Sequence, residues 1–177
     1  GKVTKGDNLY AYYTGVLNAD AKVYDEDKQD NAAHLEYSNN PNGEGTGKTT
    51  DKKVYDWTFK MGVNKVDKSG NALTGAKFVL SKSGTLKVAD LKCDETGTPT
   101  VTTDLIGLVK VSDGVYRVAL TGETNIVYAI DAGQPVIKGL DDNVTYYLYE
   151  TKAPAGYNLL SEPVSFKITA QYSDDGS

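Results

Sequence analysis

Two side chains of complementary chemistry, Lys65 and Glu150, stand where strand parity turns them inward. Lys65 continues the alternation Phe59, Met61, Val63, whereas Lys60 falls with Thr58 and Asn64 on the opposite face. Glu150 shares parity with Val144, Tyr146 and Leu148, and Thr145, Tyr147 and Tyr149 take the other side. An apolar interior favours a neutral amine over an ammonium and a protonated carboxyl over a carboxylate, the forms needed for nucleophilic attack and proton transfer. Parity also admits a plainer reading, two strand-end charges bent into solvent, because Lys and Glu are seldom buried without a partner.

Other constellations carry less. Gly43-Glu44-Gly45-Thr46-Gly47-Lys48-Thr49 imitates a phosphate loop, but Asn42 stands where the first glycine is required and a strand follows Thr49, so no nucleotide is expected. Asp25, Glu26, Asp27 and Asp30 lack the glycine and terminal glutamate of a calcium loop and read as a solvated charge run. His34 is the single histidine, with outward parity beside Glu36, which leaves no histidine triad and no multi-histidine metal site in this chain. Cys93 is the single cysteine, which excludes an intrachain disulfide framework and reads as a surface or loop thiol. Carboxylates are plentiful, yet no pair stands out with environments that would split acid and base roles as a glycosidase requires. Neither a metal nor a cofactor is implied.

The elements that must position Lys65 and Glu150 are strands. Period-2 alternation recurs in short runs between turn residues, and no dozen-residue window keeps apolar positions at helical spacing. Thirteen Tyr, three Phe and one Trp with 18 Gly suit half-exposed sheets, where a ring packs and its hydroxyl stays wet. The fold class is all-β. Leu9, Ala11, Tyr13, Gly15 and Leu17 share one parity, as do Asn31, Ala33, Leu35, Tyr37 and Asn39, which predicts two strands before the polar, Gly-rich stretch around residues 41–54. That stretch is read as an interdomain passage, dividing the chain into 1–54 and 55–177. Beyond it, residues 54–67 and 76–80 flank the turn Lys68-Ser69-Gly70-Asn71 as a hairpin, and roughly seven strands at sandwich-like spacing are expected within 55–177. Residues 81–107 are too irregular to place and read as an inserted loop or edge hairpin.

The net charge of −5 and the scattering of the 19 basic residues disfavour nucleic acid as a partner. Nothing approaches an 18-residue apolar run that could span a bilayer.

Three stretches together resemble the backbone pilins of Gram-positive sortase pili and the collagen-adhesin B-type repeats within them. Val63-Asn64-Lys65-Val66-Asp67, followed by Gly70-Asn71-Ala72-Leu73-Thr74-Gly75-Ala76-Lys77-Phe78-Val79-Leu80, is similar to the opening hairpin of such a repeat. Tyr147-Leu148-Tyr149-Glu150-Thr151-Lys152-Ala153-Pro154-Ala155-Gly156-Tyr157 is similar to its E-box, and residues 33–41 resemble the closing strand of a preceding pilin domain. The resemblance implies an immunoglobulin-like β-sandwich at 55–177, lacking its last strand, preceded by the C-terminal part of another Ig-like domain at 1–54.

It implies, further, a non-enzymatic structural subunit of a covalently assembled surface pilus, cell-wall-anchored outside a Gram-positive bacterium and joined to other subunits by sortase. In that family a lysine amine attacks an Asn or Asp side chain while a carboxylic acid shuttles protons, in a single-turnover self-reaction. By resemblance Lys65 is the nucleophile, with its acceptor outside this chain, and Glu150 the proton shuttle. Asn39 is a candidate acceptor for the preceding domain, alongside the reading of a residue that simply turns the chain before Pro41. Asp174 keeps core parity with Val164, Phe166 and Ile168 but sits in a turn sequence, which makes it a weak acceptor. Two alternatives share the fold. One is an adhesin module binding host surface ligands through residues 81–135; the other is a split fragment that captures a complementary strand.

Overall fold

The structure is a computed structural model and describes residues 10–21, 23, 29–40 and 42–172. Its strands are β1 Gln29–Ala33, β2 Glu36–Ser38, β3 Thr46–Lys48, β4 Lys52–Asp56, β5 Phe59–Gly62, β6 Lys77–Ser81, β7 Leu108–Ser112, β8 Val115–Val118, β9 Ala129–Asp131, β10 Val136–Leu140, β11 Thr145–Lys152 and β12 Val164–Lys167. One short 3-10 turn, Val88–Leu91, interrupts them. The architecture is all-β, as composition and period indicate.

Strands β5 to β12 form two four-stranded sheets, ordered β5-β10-β8-β7 and β12-β11-β6-β9. Their facing sides enclose one core. Ala76, Phe78, Leu80, Tyr146 and Leu148 meet Val63, Leu108, Tyr116, Ile137 and Leu140, all buried, with Phe59, Met61 and Phe166 packed against them. The alternation that puts Phe59, Met61 and Val63 on one face therefore holds, and Lys60 is exposed. Within the first sheet β10 pairs antiparallel with β5 and parallel with β8. A bulge between Lys138 and Leu140 carries Gly139 at φ 79, a left-handed conformation that a side chain would strain.

The expected hairpin of residues 54–67 and 76–80 is smaller than its sequence suggests. Asp67 closes a tight turn, with Asp67 N–H to Asn71 O and Gly70 N–H to Asp67 O, but β5 and β6 join opposite sheets. After Gly62 the backbone stays with the first sheet, Val63 N–H donating to Pro135 O, and the chain then crosses the sandwich. Local turn chemistry marks the reversal and leaves the pairing partner undetermined.

Residues 81–107 form an outer layer. Leu91, at the end of the 3-10 turn, packs with Val79 and Tyr149 into a second buried cluster on the outward face of β6 and β11, flanked by Leu86, Val88 and Leu105. Cys93 belongs to this cluster, half-buried rather than superficial, and its thiol pKa is raised by burial and, less, by Asp94.

The earlier part of the chain forms two small ladders, β1 with β4 and β2 with β3. The single strand expected across residues 31–39 is split at His34-Leu35, because its halves pair with different partners. Its presumed inward face is largely open: Leu35 is 49% and Tyr37 48% exposed, and Asn39 is exposed as well. The earlier predicted strand is absent from its described part, residues 10–17, where Tyr10, Tyr12 and Tyr13 lie exposed. Tyr55, Trp57 and Tyr172 stack in a row, 6.1 and 5.2 Å between successive centroids.

Candidate crosslinking site

Lys65 and Glu150 come together from opposite sheets. Lys65 lies three residues past β5, its carbonyl held by Leu73 N–H at 2.8 Å, and Glu150 sits near the end of β11 in register with Phe78. Lys65 Nζ stands 3.0 Å from Glu150 Oε1, with the lysine side chain 17% exposed and the glutamate side chain fully enclosed. The approach is a charge contact without hydrogen-bond alignment, so Oε1 is buried and accepts no hydrogen bond among the described residues. Oε2 accepts the main-chain N–H of Leu160 at 2.9 Å.

The strand that carries Glu150 is anchored on both sides. Tyr146 stacks on Phe166 of β12 with centroids 5.4 Å apart, and its hydroxyl accepts Asp141 N–H. Past Glu150 the ladder with β6 bulges at Thr151, whose hydroxyl donates to Gly97 O at 2.6 Å and so ties the strand to the outer layer. Tyr149 points outward and donates to Ser83 O. Glu150 is thus aimed inward by a strand fixed along both faces.

Beside the Lys65 amine opens a cleft of about 360 Å³ between β5 and β12, each at the edge of its sheet, lined by Met61, Val63, Phe78, Leu148 and Phe166. Low dielectric penalises separated charges, and a buried carboxylate with incomplete hydrogen bonding is costly unless neutralised. An amine, a carboxyl and an open apolar slot at one place have the layout for forming an amide with an incoming side-chain carbonyl.

The other candidates are not brought to this site. Asn39 lies in the turn between β2 and β3, its N–H donating to Gly45 O at 3.2 Å. Asp174, and Asp25, Glu26 and Asp27 of the charge run, lie outside the described residues. Asp30 pairs with Lys53 at 2.7 Å, which lowers its carboxyl pKa. His34 contacts Glu36 and Asp51 at 3.4 and 3.2 Å. Among the described residues no group of three or more His, Cys, Asp or Glu could hold a metal, and no helix is long and apolar enough to cross a membrane. The Leu160 contact escaped the sequence reading because a main-chain donor leaves no residue-type signal; the corner Ala153-Pro154-Ala155-Gly156, which turns the chain back toward Glu150, was its only trace.

An immunoglobulin-like sandwich with a lysine and a glutamate paired between its sheets defines the class. Residues 59–175 match the SpaA family of prealbumin-like fold domains, well over half of the chain, and the chain belongs to that family. No curated protein sequence matches it. Among solved structures, it is similar to the 35 kDa C-terminal fragment of the major pilin GBS80 of Streptococcus agalactiae, with TM-score 0.50 and 21% identity over 81% of this chain and 46% of that one. The pilus 2b backbone protein of group B streptococcus gives TM-score 0.41 and 23% identity, over 75% and 41% of the two chains. The full-length major pilin RrgB of Streptococcus pneumoniae gives 0.40 and 18%, over 79% and 32%. The chain spans less than half the length of each of these proteins.

Proposed function

We propose that this chain is part of a structural subunit of a covalently assembled pilus on the surface of a Gram-positive bacterium, hardened by a self-formed isopeptide crosslink. The carrying observation is the Lys65 amine 3.0 Å from an enclosed Glu150 carboxyl. In the proposed reaction a new bond forms between Lys65 Nζ and the side-chain carbonyl carbon of an Asn or Asp. Glu150 takes a proton from the attacking amine and returns one to the leaving group, and the acceptor's C–N or C–O bond breaks with loss of ammonia or water. The protein is consumed as its own single-turnover reagent and is not an enzyme. Sortase would join such subunits through other residues, at the cell wall and outside the cell. In this reading residues 1–54 close a preceding Ig-like domain, with Asn39 its candidate acceptor, and 55–177 form the sandwich that holds Lys65.

Intact mass of the full-length protein tests it. Each crosslink should remove one ammonia or one water, and Lys65→Ala should restore one such loss. A wild-type mass equal to that calculated from sequence would overturn the reading.

The cleft between β5 and β12 favours one alternative, a module that takes up a strand from another chain. A strand entering there would lie between the outermost strands of the two sheets, over an apolar floor for alternate side chains.

A further inference from the structure

The segment between β11 and β12 serves more than connection. Pairing of the two strands ends at Leu148 with Val164, so beyond that point the returning chain has no ladder partner on β11. A turn closed by Tyr157 N–H to Pro154 O, with Gly156 at φ 82, folds the segment back. The N–H of Leu160 donates to Glu150 Oε2 at 2.9 Å. Leu160 also lines both spaces that flank the carboxyl, the apolar cleft beside Lys65 and a second cavity of about 460 Å³ bounded by residues 84–89 and 160–163.

We propose that the main-chain N–H of Leu160 is a positioning group for Glu150: by holding Oε2 it turns Oε1 to the Lys65 amine, and the Ala153–Gly156 corner delivers that N–H. A carboxylate has two equivalent oxygens and a nearly free terminal torsion, so without a second anchor the buried group could rotate away from the lysine. A charge-assisted N–H bond is short and directional enough to prevent that. One anchored oxygen and one oxygen left without a hydrogen bond is the arrangement a proton shuttle needs. The role assigned to Leu160 rests on the crosslink reading, but the hydrogen bond itself can be tested separately.

In a Lys65→Ala background, where no crosslink at this site can form, the Leu160 amide proton should resonate downfield and move upfield when Glu150→Gln is added. In the full-length protein, Leu160→Pro, which removes the N–H, should slow the loss of mass at least ten-fold. Leu160→Ala, which keeps the N–H and removes the side chain, should change it less than two-fold. A Leu160 amide indifferent to Glu150→Gln overturns the inference, and so does equal slowing by the two Leu160 variants. If Leu160→Pro does not fold, as amide dispersion would show, the resonance experiment decides. A wild-type protein that never loses mass overturns the crosslink and not the hydrogen bond, so the two failures are distinguishable.

Discussion

Lys65 and Glu150 illustrate what a charge gains from a site that only a fold can build. Each would cost free energy if buried alone, and their 3.0 Å approach is badly aligned for a hydrogen bond. Arg117 and Glu123 are the contrast: a well-aligned pair, Arg117 Nη1 donating to Oε2 at 2.8 Å, with Leu120 N–H donating to the same oxygen at 2.7 Å. The hydrogen bond from Arg117, and next that from Leu120, pull the Glu123 pKa down from 4.5 to about 2. A carboxyl depressed on folding contributes stability that is present above its unfolded pKa and lost as pH falls through the folded one. The wild-type protein should therefore lose stability between about pH 4.5 and 2 that Glu123→Gln does not lose, measured by urea denaturation at a series of pH values. Parallel curves for the two proteins would refute a structural role for this pair.

Among the elements, β11 organises the molecule, because it is buried on both faces. Tyr146, Leu148 and Glu150 enter the main core, while Tyr149 enters the cluster under residues 81–107. That cluster absorbs the apolar side chains of a stretch whose sequence looks like solvated loop. Over residues 81–135 the exposed large apolar side chains are Val111 and Val127. Leu91 is 2% exposed, so Leu91→Ala should cost about 2–4 kcal/mol from lost burial and a residual cavity, read from the urea midpoint. A cost below about 0.5 kcal/mol, the range of surface substitutions, would show that the outer layer is a detachable loop.

For the whole molecule, the proposed crosslink at Lys65 would be a covalent reinforcement that needs no cysteine. By analogy with a disulfide closing a loop on the order of 100 residues, a crosslink from Lys65 to a late strand would stabilise the fold by about 5 kcal/mol. That corresponds to a Tm lower by roughly 10–20 °C in Lys65→Ala full-length protein. Equal Tm values for wild type and Lys65→Ala would argue against a mechanical staple at this position.

Residue order by itself determined that the protein is built of strands, which faces of 59–63 and 144–150 turn inward, and that Lys65 and Glu150 share the inward parity, because side-chain direction in a strand follows from counting by two. Counting cannot say which strands pair. The separation of β5 from β6 into opposite sheets, the break of 31–39 into two ladders and the use of 81–107 as an outer layer depend on hydrogen-bond partners and apolar contacts dozens of residues apart. The same holds at the site: parity turned the amine and the carboxyl inward but left open that both bend into solvent, and only the packing of two sheets and the returning main chain at Leu160 decided that they are enclosed and meet.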